Sequence, residues 1–188
     1  MNQYWHSQHR GLGLTNVSRT VLADGDYHEV ACAVLCDGVS SPVVELLAQL
    51  KEGNWPDPNI SEFPDEYQAN TRRRFLAQVA HLADFGELEQ GFNRLDGGIW
   101  EFKVESLRVT FFDTPGDGTF TPKFGEEYDS WDGRRLVEFP TDFDEFIRVG
   151  HYFGKDGQKA PPEDVKRSIE VREEDVAHDR DDEEQFVG

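Results

Sequence analysis

Several of the side chains able to hold an anion or move a proton near neutral pH cluster in the second half of this chain. Lys103 and Arg108 sit in two alternating segments, residues 99–104 and 107–112. His151 and Tyr152 lie in a third such segment, and Lys155 and Lys159 follow in a glycine-containing stretch. Arginine presents a planar fork that matches phosphate or carboxylate oxygens, lysine supplies a point charge, and imidazole titrates close to neutrality. Each residue also has an ordinary role open to it. Arg108 can pair with Glu101 or Glu138 across a sheet, and Lys103 can be a solvent-face strand residue. His151 can be a satisfied structural histidine beside Val149 and Phe153, and Lys155 and Lys159 can be solubility charges.

Two other groups of reactive or charged side chains resolve toward plain roles. Cys32 and Cys36 close the apolar run 29–36. Four residues apart on a strand, they would stand about 13 Å from each other, too far for a disulfide. Zinc would need more ligands, and only His28 is near, so two buried reduced thiols are expected and no metal or other cofactor. Arg72, Arg73 and Arg74 are adjacent on a helical segment and fan across roughly 200°, so they cannot serve one surface together.

The elements that must position these groups follow from pattern. The run 29–36 ends at Asp37-Gly38 as a strand entering a turn. Ser41-Pro42 opens a helix over residues 42–51, with Val43, Leu46, Leu47 and Leu50 at helical spacing and Gly53 as its stop. A second helix spans 65–85 with Phe75, Val79 and Leu82 on one stripe and Gly86 after it. Residues 99–104 and 107–112, joined by Glu105-Ser106, read as a β-hairpin. Residues 113–133 are rich in Gly, Pro, Asp and Thr and read as a loop insertion. Strand-like stretches follow at 135–140 and 145–153, then a helix opened by Pro161-Pro162, with Val165, Ile169 and Val176 as its apolar stripe. Trp100, Phe102, Phe111, Phe112 and Phe153 are expected in the core.

The fold class expected is therefore α+β: a small antiparallel sheet with the helices gathered on one face. Residues 1–28 form a partly mobile leader, 29–178 the folded domain, and 179–188 a disordered acidic tail. No apolar run approaches the ~20 residues of a membrane span, and no signal-like segment opens the chain, so the cytoplasm is expected and no membrane partner.

The formal net charge is −19 over 188 residues. Residues 1–98 carry 7 basic and 14 acidic side chains, 99–167 carry 10 and 15, and 168–188 carry 2 and 9. No broad basic face is available, so nucleic-acid chemistry must come from a local cluster of cations.

Three stretches, in this order, carry a family likeness: Leu95-Asp-Gly-Gly-Ile-Trp-Glu-Phe-Lys103, Leu107-Arg-Val-Thr-Phe-Phe112 and Gly150-His-Tyr-Phe-Gly-Lys-Asp-Gly-Gln-Lys-Ala-Pro-Pro162. They resemble the phage-derived, HigB-like branch of the RelE/ParE toxin superfamily, and Gly38-Val-Ser-Ser-Pro-Val-Val-Glu-Leu-Leu47 is similar to the opening of that family's first helix. The likeness covers roughly residues 29–178. It implies a RelE-like fold and a type II toxin that enters the ribosome, cuts mRNA and is held by a helix-turn-helix antitoxin. Carried over, Lys103 (arginine in the family), Arg108 and His151 are the catalytic candidates, and Lys155, Lys159 and Tyr152 the RNA-binding ones. The second lysine of the family's pair is Asp156 here, a charge reversal. Cleavage through the ribose 2′-hydroxyl needs that hydroxyl deprotonated, the phosphorane's charge neutralised and the leaving oxygen protonated. Two other classes fit the acidity: a regulator that kept the scaffold without the nuclease, or an acidic interaction protein imitating nucleic acid.

Overall fold

A computed structural model describes residues 17–59, 67–133, 135–155 and 159–184, with the side chains of 181–184 left aside. The strands are β1 (Val21–Asp24), β2 (Glu29–Cys32), β3 (Phe92–Arg94), β4 (Trp100–Val104), β5 (Leu107–Thr114), β6 (Glu127–Asp129), β7 (Arg135–Val137) and β8 (Phe146–Gly154). The helices are α1 (Pro42–Glu52), α2 (Gln68–Phe85) and α3 (Pro162–Glu184), with a 3₁₀ turn at Asp96–Gly98. Six strands form one sheet in the order β1-β2-β8-β5-β4-β3, and β6 and β7 form a second, two-stranded one.

The chain is thus α+β with a mostly antiparallel sheet. One pair departs from the antiparallel expectation: β2 runs parallel to β8. Parallel neighbours need a long crossover, and here everything from α1 to β7 lies between them. The hairpin is as the alternation requires, with Val104 opposite Leu107 and Lys103 opposite Arg108. Its two-residue turn holds Glu105 at φ 56°, the left-handed backbone that a two-residue hairpin demands.

Strand alternation sends Trp100, Phe102, Val109, Phe111, Ile147 and Val149 to one face, where Val43, Leu46 and Leu50 of α1 and Phe75, Val79 and Leu82 of α2 cover them. Both helices end as expected, at Gly53 and Gly86. The expectation of helices on a single face fails for α3. Ile99, Phe112 and Ala33 present a second apolar surface, and α3 buries it with Val171 and Val176. Both sheet faces are therefore covered over much of their area, which is why nearly every residue of β5 is buried.

The inward stripe of α3 is largely polar: Ser168, Val171, Asp175 and Asp179 are all buried, whereas Ile169 is only half-buried. Asp175 accepts the N–H of Val34 at 2.8 Å and Arg19 Nε at 2.9 Å, and Arg19 reaches Asp179 Oδ1 at 2.9 Å. The helix runs on through the region expected to be a disordered tail, as far as Glu184, and those bonds hold it as far as Asp179; residues 185–188 lie outside the described residues. They also tie down residue 19 of the expected leader, and β1 pairs with β2 at the sheet edge; residues 1–16 lie outside the described residues.

Two further expectations are corrected. The first strand stops at Cys32, which is buried, and Cys36 is exposed in the turn beyond it, so only one thiol is in the core. The expected loop at 113–133 contains the end of β5 and all of β6, which forms a small hairpin with β7 outside the main sheet. Arg94 fastens that hairpin by donating to the Phe124 carbonyl and pairing with Glu127. No helix among the described residues is long and apolar enough to cross a membrane.

Candidate functional site

The hairpin register decides where the cations go. With Lys103 opposite Arg108 and Glu101 opposite Thr110, these four side chains leave the sheet on the face away from α1 and α2. Asn93 on β3 stands opposite Glu101 and joins the same face. Lys155, one residue past β8, donates its backbone N–H to the Ser106 carbonyl at 2.8 Å, extending the ladder beside β5. Three cations from β4, β5 and the end of β8 thus meet.

At the centre is Glu101, fully buried. Its Oε1 lies 3.3 Å from Asn93 Nδ2, 3.7 Å from Arg108 Nε and 4.0 Å from Lys155 Nζ. Its Oε2 has no hydrogen-bond partner among the described residues. Burial pushes the Glu101 carboxyl above the usual range, against the pull of Lys155, Arg108, Asn93 and Lys103. Burial also pushes the Lys103 ammonium below its usual range; Glu101 opposes that, and Arg108 and Lys155 add to it. Two like charges directly opposite each other on a hairpin repel. Lys103 and Arg108 are so placed, and the buried carboxylate beneath is what offsets their repulsion. Arg108 is further held by its Nη1, which donates to the carbonyls of Glu105 at 2.7 Å and Leu107 at 2.8 Å. Counting Lys103, Arg108 and Lys155 against Glu101 leaves the cluster cationic on a negative molecule.

His151 shares this face farther along β8. Arg108 stands opposite Phe153, so His151 and Lys155 lie on either side of it, each about 7 Å along the strand. The ring Nε2 of His151 is 2.9 Å from Asp164 Oδ1 in the first turn of α3. Its backbone is fixed as well: the Thr110 hydroxyl accepts the His151 N–H and donates to its carbonyl, at the irregularity in the β5–β8 register. The imidazole therefore has one nitrogen held by a carboxylate and a defined orientation, the arrangement that prepares a histidine for proton transfer.

Tyr152 is not brought to this site. Adjacent strand residues point to opposite faces, and Tyr152 packs with the α1 and α2 core, bonded to Gln49. Burial, then Glu45, pushes its phenol above the usual range. Lys159 is exposed beyond the strand, and Asp156 lies outside the described residues. The arginines of α2 belong to the other face, where Arg74 pairs with Glu105 at 2.5 Å and Arg73 donates to Asn70.

Sequence pattern named Glu101 only as a possible partner of Arg108, and gave Asn93 and Asp164 no role at the site. A signal for Glu101 was present: it alternates with Trp100 and Phe102 in a hairpin whose partner strand carries arginine. Compared with known protein families and with curated proteins, the chain matches none.

Proposed function

We propose that this chain is an RNA-cleaving toxin of the RelE/HigB type, a cytoplasmic protein that cuts mRNA on the ribosome and is restrained by a helix-turn-helix antitoxin. The observation that carries this reading is the meeting of Lys103, Arg108 and Lys155, from three chain segments, around one carboxylate. The succession of a strand, α1, α2, the β4–β5 hairpin, β8 and α3 supports the RelE-like arrangement that the resemblance implies.

In this reading the ribose 2′-oxygen attacks the adjacent phosphorus and the bond from phosphorus to the 5′-oxygen breaks, leaving a 2′,3′-cyclic phosphate and a 5′-hydroxyl. The proton of the 2′-hydroxyl passes to the Lys103 amine, whose ammonium form burial disfavours. Arg108 and Lys155 neutralise the charge that grows on the phosphorane oxygens, which is where fixed cations in a partly buried site stabilise a transition state most. His151, held by Asp164, gives a proton to the leaving 5′-oxygen. Lys159 contacts the RNA backbone from the exposed loop.

A second reading, a regulator that kept the scaffold without the nuclease, is favoured by Glu101, which cancels part of the cluster's charge, and by Tyr152 facing the core. Inducible expression separates the two. The toxin reading expects rapid growth arrest with mRNA cut on translating ribosomes, relieved by co-expressing an adjacent helix-turn-helix reading frame. Continued growth with intact mRNA at full expression favours the regulator.

A further inference from the structure

A carboxylate beneath three cations has no access to substrate, so whatever it contributes must pass through its neighbours. Glu101 is fully buried, and the groups facing it come from every strand around it: Asn93 on β3, Lys103 on β4, Arg108 on β5 and Lys155 after β8. An ordinary structural ion pair would satisfy its carboxylate with one well-aligned partner. Here Arg108 Nε at 3.7 Å and Lys155 Nζ at 4.0 Å are beyond hydrogen-bond distance, and among the described residues only Asn93 donates. Glu101 Oε2 and Arg108 Nε are both buried without a hydrogen-bond partner among the described residues. The carboxylate is shared rather than paired.

We propose that Glu101 is a positioning residue: a shared counter-ion that gathers Arg108 and Lys155 beside Lys103 and, by its charge, sets how readily Lys103 gives up its proton when a phosphodiester occupies the cluster. Resting on the RNA-cleaving reading, this assigns the site a regulator of its own. With Glu101 ionised, Lys103 is held toward the ammonium form and the three cations stay together. An arriving phosphate competes with Glu101 for Arg108 and Lys155, neither of which is within hydrogen-bond distance of the carboxylate. The cluster then accepts a dianionic transition state without its cations having scattered in the empty state.

The test uses Glu101→Gln in the full chain, which keeps the shape and the contact with Asn93 and removes the charge. Lys103 is followed by NMR through its ε-methylene as pH is varied. Removing the opposite charge two residues along the same strand face weakens proton binding, and the expected effect on Lys103 is a fall of roughly tenfold in its proton affinity. The midpoint of the pH profile for mRNA cleavage on ribosomes falls in step, a change that loss of packing alone would not produce. Should Glu101→Gln fold poorly, Glu101→Asp carries the test: it draws the same charge back by one methylene, and the Lys103 titration falls by less. An unmoved Lys103 titration in the folded variant overturns the proposal, whatever the wild type does to RNA. A titration that moves as expected beside a wild type that leaves mRNA intact overturns the nuclease reading and leaves the counter-ion standing.

Discussion

Replacing Asp113 with asparagine removes one buried charge and little else, and its consequence depends on pH in a way the structure fixes. Asp113 continues the inward stripe of β5 after Leu107, Val109 and Phe111, so its carboxyl is fully buried on the α1 and α2 side. One oxygen accepts the Asp144 N–H at 2.9 Å, and the other has no hydrogen-bond partner among the described residues. Burial pushes its pKa up to about 7; the Asp144 N–H opposes that rise, the Asp144 carboxylate adds to it, and Lys123 opposes it. In the unfolded chain an aspartate titrates near about 3.9. Between those two values the native state holds more protons than the unfolded state, so this group makes stability fall as pH rises from about 4 to about 7, with the full loss present above. The gap of roughly three pH units corresponds to an upper value on the order of 4 kcal/mol, and relaxation around the site brings the expectation to about 2–4 kcal/mol. Asparagine has no charge to desolvate, and its carbonyl still accepts the Asp144 N–H. Urea unfolding at about pH 8 should therefore show Asp113→Asn more stable than wild type by about 2–4 kcal/mol, with the gain shrinking to roughly half near pH 5.5. A variant with no gain at pH 8, or one whose gain grows toward acid, would show that Asp113 is not a desolvated charge in the folded protein.

Three further outcomes follow from the same geometry. Arg19→Met leaves Asp175 and Asp179 buried without their guanidinium, and should cost about 3–5 kcal/mol in chemical denaturation, with amide exchange rising along the C-terminal half of α3. Val171→Ala, in the second core beneath α3, should cost about 2 kcal/mol in the same assay; a negligible cost would deny that α3 is packed on that face. Tyr152→Phe should leave mRNA cleavage within about twofold of wild type on ribosomes, because the phenol faces α1 rather than the cations.

The elements that sequence pattern defines well are those whose apolar period is plain. Val43, Leu46 and Leu50, then Phe75, Val79 and Leu82, mark α1 and α2 and even the glycines that end them. The alternation around Glu105-Ser106 yields the hairpin and with it the pairing of Lys103 and Arg108, which is the heart of the candidate site. What escaped is polar burial. The inward stripe of α3 carries Asp175 and Asp179, indistinguishable by composition from an acidic tail, and their burial shows only in distant partners, Arg19, 156 residues away from Asp175, and the N–H of Val34. The choice of face for α3 was likewise invisible, since Phe112 and Ile99 can be assigned to either side until the strand order is known. The parallel pairing of β2 with β8 depends on a crossover more than a hundred residues long, beyond any local pattern. Tyr152 shows the limit of motif matching: it neighbours His151 in sequence, and the strand's two-residue period turns it to the opposite face.

Whether the cations around Glu101 act on RNA is decided by single-turnover cleavage of mRNA on programmed ribosomes with wild type and Arg108→Ala at equal concentration. Wild type is expected to cut the message, and Arg108→Ala, still folded by circular dichroism, to cut at least about a hundredfold more slowly. Equal cleavage by the two proteins, or an intact message with wild type, would contradict it.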